Sequence, residues 1–158
     1  MHMVKIERVL VPVDGSDSSK NAAKYAAHLL NARNPTLYLL HVVEAVNMAI
    51  GGESAEELRK ANEAKAMALL EEYRTMVEAC GFKNTELLAR SGRRPDYVIL
   101  NTQEELDCDM IIIGSRGQSA LENVVMGSVV TGVLEEATCP VLVTRNLRGR
   151  YLEEAHGL

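Results

Sequence analysis

The sequence predicts an α/β fold of three layers, a doubly wound open parallel sheet of five strands with a Rossmann-like alternation of strand and helix. Two observations carry this expectation. Five short, apolar, β-branched stretches alternate with segments of helical periodicity, the order that repeated βαβ units produce. Apolar residues make up 47% of the chain while aromatic ones make up only 4%. The core must therefore be built from Ala, Val, Leu and Ile, a mix suited to helices packed on a buried parallel sheet. At 158 residues the chain reads as one domain, 1–158, able to bury a core without disulfides. The ordered core is expected over 5–145 and a polar tail over 146–158. His2 and Met3 read as a cloning remnant, with Met3 as the natural start.

The first strand is expected from Arg8 to Val13, where Val9, Leu10, Val11 and Val13 run with little polar interruption, as in a strand covered on both faces. Asp14, Gly15 and Ser16 end it. A helix follows from Asp17 to about Arg33, with Ala22, Ala23, Ala26, Leu29 and Leu30 at helical spacing and Asn34-Pro35 as its stop. The second strand spans Thr36 to Val43. Ser54 and Glu57 then read as a capping box opening a long helix that ends at Gly81. Within it Leu70, Tyr73, Val77 and Cys80 form a core-facing stripe, and Glu71, Glu72 and Arg74 face water. A short third strand is expected over Thr85 to Ala89, a third helix from Pro95 to Leu106 and a fourth strand over Met110 to Ile113. A last helix ends near Ala137, and the last strand covers Pro140 to Arg145.

A formal net charge of −5 argues against a nucleic-acid partner, which normally meets a basic surplus. Cys80, Cys108 and Cys139 show neither CxxC nor another metal-ligand spacing, so they read as structural thiols of a reducing compartment. The apolar runs are too short for a membrane span and the amino terminus lacks a signal-peptide core, so no membrane partner and a cytoplasmic location are expected. His41 reads as a packed, hydrogen-bonded histidine. His28 and His156 have no partner at ligand spacing.

The segment after the fourth strand carries the chemistry. It reads Gly114-Ser115-Arg116-Gly117, nine residues, then Gly127-Ser128. Glycines at a strand end let the backbone turn and approach a ligand closely, and the pair three apart suggests a hollow of amides. Gly127 and Ser128 start the helix containing Val129, Val130, Val133 and Leu134, where unpaired N–H groups and the helix dipole favour an anion. Arg116 adds a cationic fork. Phosphate suits this set, although the spacing is neither a Walker A loop nor GxGxxG. Glycines at a strand end and a helix cap are also common in α/β proteins without a ligand there. At the carboxyl end of the first strand lie Pro12, Val13 and Asp14. Asp14 can meet ribose hydroxyls or hold a metal, and a triphosphate beside it calls for a bridging Mg²⁺. The competing role for Asp14 is to cap the first helix.

These residues resemble the universal stress protein family, through VLVPVDGS, LLHVVE, MIIIGSRG, MGSVV and CPVLVTR, over about Lys5 to Arg145. The family pattern of Gly, two residues, Gly, nine residues, Gly, then Ser or Thr is met at Gly114, Gly117, Gly127 and Ser128. The resemblance implies the strand order 3-2-1-4-5 of the adenine nucleotide alpha hydrolase-like group. It also implies a homodimer formed through the last strand, at Val141 and Val143. An adenine nucleotide (ATP, or ADP or AMP) with Mg²⁺ is the implied ligand. Backbone around Val42 and Ile113 would meet adenine, Asp14 would meet ribose or metal, and the glycine loops would meet phosphate. Two departures stand out: Val130 replaces a frequent hydroxyl residue, and Gly92-Arg93-Arg94-Pro95 is one residue longer than the usual turn, placing Arg93 or Arg94 near the pocket mouth. No side chain at the glycine loops stands out as a catalytic base, so the expected role is nucleotide-dependent regulation with little or no hydrolysis. A slow ATPase or ATP-activating transferase, and a dimeric interaction module without nucleotide, are the alternatives.

Overall fold

Alternation along the first strand settles how the layers form. In β1 (Arg8–Pro12), Val9 and Val11 point to one face and Leu10 to the other, and all three are fully buried, as successive side chains of a central strand must be. The computed structural model describes residues 3–117 and 126–145. The expected tail over 146–158, His156 and the first two residues lie outside them.

After β1 come α1 (Asp17–Leu30), β2 (Thr36–Glu44), α2 (Met48–Ala79), β3 (Thr85–Gly92), α3 (Pro95–Glu105), β4 (Met110–Gly114), α4 (Ser128–Glu136) and β5 (Val141–Thr144). The strands form one parallel sheet in the order β3-β2-β1-β4-β5. Val9, Val11, Leu37 and Leu39 pack against Ala22 and Ala26 of α1 and Leu70, Tyr73 and Val77 of α2. On the opposite face Leu10, Leu40, Ile111 and Ile113 pack against Ile99 of α3 and Val130 and Val133 of α4. The chain winds outward from β1 through β2 to β3, then crosses back to β4. The carboxyl ends of β1 and β4 therefore flank the switch in strand order, where a crevice opens in sheets of this kind.

Several boundaries differ from the sequence expectation. The first helix stops at Leu30 instead of Arg33, because the Leu30 carbonyl accepts the N–H groups of both Arg33 and Asn34 and Asn34 takes a positive φ of 47°, which ends helical winding. The long helix does not open on a capping box at Ser54. Asn47 caps it seven residues earlier through the N–H of Ala49, and Gly52, at φ 47° and ψ −125°, then interrupts it, a conformation that glycine alone adopts readily. The third strand runs to Gly92, three residues beyond Ala89, because every residue from Thr85 pairs with β2. A short polar stretch is held extended there by its neighbour rather than by its own propensity.

Cys108 is buried and Cys80 and Cys139 are half-buried; all three are free thiols. Burial pushes the Cys108 thiol up to about 12 and raises the other two, so they stay protonated and inert at neutral pH. No helix among the described residues is long and apolar enough to cross a membrane.

Candidate functional site

The turn after β1 is organised around one carboxylate. The Val13 N–H donates to the Leu40 carbonyl at 2.8 Å, extending the strand pairing by one step and delivering Asp14 to the sheet edge. Ser16, and not Asp14, caps α1: its hydroxyl oxygen accepts the Ser19 N–H. Asp14 Oδ1 in turn accepts the backbone N–H of Ser16 at 3.0 Å and the Ser16 hydroxyl. Asp14 thus holds the Asp-Gly-Ser turn that leads into α1 without being the helix cap, and its second oxygen turns toward the glycine loop. A Cβ built on Gly117 would stand 3.0 Å from Asp14 Oδ2.

The glycines converge on the same place from the other side. Gly127 donates its N–H to the Ser115 carbonyl at 2.8 Å, and a Cβ on Gly127 would lie 3.5 Å from the Gly117 nitrogen. The start of α4 thus closes onto the end of β4, although the intervening residues 118–125 lie outside the described residues. Gly114 itself packs against α1, with a built Cβ only 2.5 Å from Ser18 Oγ.

Between these elements lies a cavity of about 270 Å³. Pro12, Val13 and Asp14 line it from β1 and its turn, and Val42 lines it from β2. Ile113, Gly114, Arg116 and Gly117 follow from β4 and its loop, and Val129 and Val130 from α4. Ser115, Gly127 and Ser128 do not line it. Ser115 is buried and gives its N–H to the Thr144 carbonyl, Gly127 gives its own to Ser115, and the Arg116 N–H turns to Ser18 Oγ. The expected hollow of loop amides is corrected accordingly. These three N–H groups hold the loop together, and the donors free of intrahelical acceptors are the first amides of α4, from Ser128 onward. Val130 is buried in the apolar cluster and offers a methyl surface in place of a hydroxyl.

Among the described residues, five that line the cavity were not assigned to the site from the sequence: Ser19, Leu40, His41, Pro95 and Ile99. Leu40 and Ile99 belong to the apolar cluster beneath α3 and α4 and carry no signal beyond hydrophobicity. His41 sits as a packed, hydrogen-bonded residue, as expected, with Nδ1 at 2.8 Å from the Val13 carbonyl. A carbonyl only accepts, so Nδ1 carries the proton. Neither Arg93 nor Arg94 lines the cavity, although Pro95 beside them does. Arg94 pairs with Asp96 at 2.7 Å and lies 3.7 Å over the Tyr97 ring.

One side of the cavity is apolar, from Leu40, Val42, Ile99, Ile113 and Val130. The other carries Asp14, Arg116, Gly117 and the amino end of α4. An apolar slot beside a carboxylate, a guanidinium and helix-end amides suits a ligand with a flat hydrophobic part and an anionic tail. Among the described residues no three His, Cys, Asp or Glu side chains gather to hold a metal. A single carboxylate with one oxygen turned to the anion side suits Mg²⁺, which takes one or two protein carboxylates and completes its shell with phosphate and water.

Comparison with known proteins agrees with this architecture. The family model described as the universal stress protein family matches residues 5–145. A universal stress protein of Methanocaldococcus jannaschii is 32% identical over 145 residues, 88% of this chain and 82% of its own length. The solved structure of the universal stress protein UspA from Lactobacillus plantarum superposes with a TM-score of 0.78 at 26% identity, covering 89% of this chain and 99% of that one. Another universal stress protein, solved in complex with cAMP, shares the fold with a TM-score of 0.69 at 23% identity, over 89% and 98% of the two chains. With the glycine spacing, the strand order and these matches in agreement, the chain belongs to the universal stress protein family.

Proposed function

We propose that this chain binds an adenine nucleotide, ATP with Mg²⁺, in the cavity at the carboxyl edge of the sheet, and that occupancy regulates its contacts inside the cell. The observation that carries the reading is the convergence of Asp14 Oδ2, Gly117 and the start of α4 on one space. The apolar side, between Val42, Ile99 and Ile113, accommodates the base. Arg116 and the α4 amides face the phosphates, and Asp14 meets ribose or holds the Mg²⁺. The cAMP complex of a related fold supports a ligand made of adenine and phosphate.

Among the described residues the polar side chains lining the cavity are Asp14, Ser19, His41 and Arg116. The first three are engaged by hydrogen bonds within the turn and strand, an arrangement suited to holding a ligand more than to activating water. Isothermal titration of Mg-ATP into the protein is expected to give a saturable heat with one site per chain. Absence of such heat removes the reading, and sustained multiple-turnover release of phosphate or pyrophosphate replaces it with the enzyme alternative.

The same reading includes a homodimer through β5. That strand pairs only with β4 among the described residues, and Val141, Leu142 and Val143 remain half-buried, leaving an apolar edge of the kind that invites a further strand. Sedimentation should give twice the chain mass, and Val143→Glu should give the monomer; a monomeric parent protein argues the dimer away.

A further inference from the structure

We infer that Tyr73, on the helix covering the opposite face of the sheet from the apolar slot, is the positioning residue that aims Asp14 at the glycine loop; this rests on the nucleotide reading above. The tyrosine is 1% exposed, and its ring belongs to the cluster that packs α1 and α2 on the sheet. Its hydroxyl leaves that cluster and enters the β1–α1 turn. There the oxygen accepts the Gly15 N–H at 3.1 Å and pairs with Ser19 Oγ.

The proton positions follow from what each group can do. The Ser19 hydroxyl has one hydrogen, and the Ser16 carbonyl 3.1 Å away can only accept it. The hydrogen between Ser19 and Tyr73 therefore comes from the tyrosine, whose lone pairs receive Gly15. Ser19 Oγ also accepts the Asp14 N–H at 3.3 Å, and Ser16 gives its N–H to Asp14 Oδ1. Every amide of Asp14-Gly15-Ser16 is thus engaged, and Tyr73 supplies the acceptor for the middle one from a distant part of the chain. Burial raises the Tyr73 pKa, so the hydroxyl keeps its proton at neutral pH.

A constraint matters at this turn because Gly15 holds φ at 84°, and glycine has several backbone regions open to it at little energetic difference. Without the hydroxyl, the Gly15 N–H loses its acceptor and the turn is free to relax, moving the carboxylate away from Gly117. Tyr73→Phe keeps the ring and its packing and removes only the oxygen.

The experiment is a double-mutant cycle read by titration of Mg-ATP into the parent, Tyr73→Phe, Asp14→Asn and the double variant. Losing one buried hydrogen-bond partner should weaken binding by about three- to tenfold in the parent background. In the Asp14→Asn background, and for the parent titrated with ATP in EDTA, the same substitution should change the dissociation constant less than about twofold. A purely structural role would give one factor in all backgrounds and overturn the inference, as would equal affinities for Tyr73→Phe and parent. Both of those outcomes leave the pocket intact, whereas a parent protein that binds no nucleotide removes the pocket and this inference together. If Tyr73→Phe does not fold, Ser19→Ala breaks the same link from α1 and must show the same non-additivity with Asp14→Asn.

Discussion

Gly117→Val is expected to weaken Mg-ATP binding at least about 100-fold, near 3 kcal/mol, while leaving the melting temperature within a few degrees of the parent. The first carbon of the new side chain would already stand 3.0 Å from Asp14 Oδ2, tighter than ordinary van der Waals contact. The two γ-methyl groups extend past it, into the space between the carboxylate and α4 proposed above for the phosphates. Gly117 is only half-buried and no core residue contacts the built Cβ, so folding has little to lose. Its φ does not lie in the left-handed region, so the effect is steric and should grow with size. Gly117→Ala, adding the one carbon that the turn can nearly accept, should produce a loss well short of that for valine. Titration of the three proteins separates the outcomes: equal affinity for valine and glycine would place the nucleotide elsewhere.

The glycine spacing was legible because the physics it encodes is local. A chain that must bring Gly117 beside a carboxylate and Gly127 beside a backbone nitrogen has few residue types to choose from, and so the pattern stands out among its neighbours. The layers were legible for a similar reason, since Val9 to Val11 and Ile111 to Ile113 have nowhere to go except a strand covered on both faces. The strand order came from the family resemblance, and the topology agrees with it.

What stayed hidden depends on partners remote in the chain. Tyr73 looked like one more member of a helical stripe with Leu70 and Val77, and nothing in its spacing announces a hydroxyl that meets Gly15 and Ser19 more than fifty residues away. The amides of Ser115, Arg116 and Gly127 looked available to a ligand because their acceptors, the Thr144 carbonyl, Ser18 Oγ and the Ser115 carbonyl, appear only after the sheet is assembled. For Asp14 local chemistry left both a ligand role and a helix cap open, and the assembled turn gives the cap to Ser16 while Asp14 Oδ1 holds the turn itself. The full extent of β3 and the break at Gly52 were likewise set by pairing and backbone geometry.

Gly114→Ala should act on the fold where Gly117→Val acts on the ligand. A methyl at Gly114 would lie 2.5 Å from Ser18 Oγ and 2.8 Å from both the carbonyl carbon and oxygen of Ser18. The hydroxyl can rotate away, but the helix backbone cannot, so α1 must shift from the end of β4. That shift also strains the bond from the Arg116 N–H to Ser18 Oγ and the pairing of Gly114 with Thr144. Overpacking of this kind costs about 1–3 kcal/mol, which for a chain of this size lowers the melting temperature by roughly 2–4 °C per kcal/mol. Calorimetry should therefore find a clear drop for Gly114→Ala. Affinity should fall as well, because α1 carries Ser16 and Ser19, which hold Asp14 in place. An unchanged melting temperature would mean that β4 and α1 do not approach as described, and with them the frame that brings Asp14 to the glycine loop.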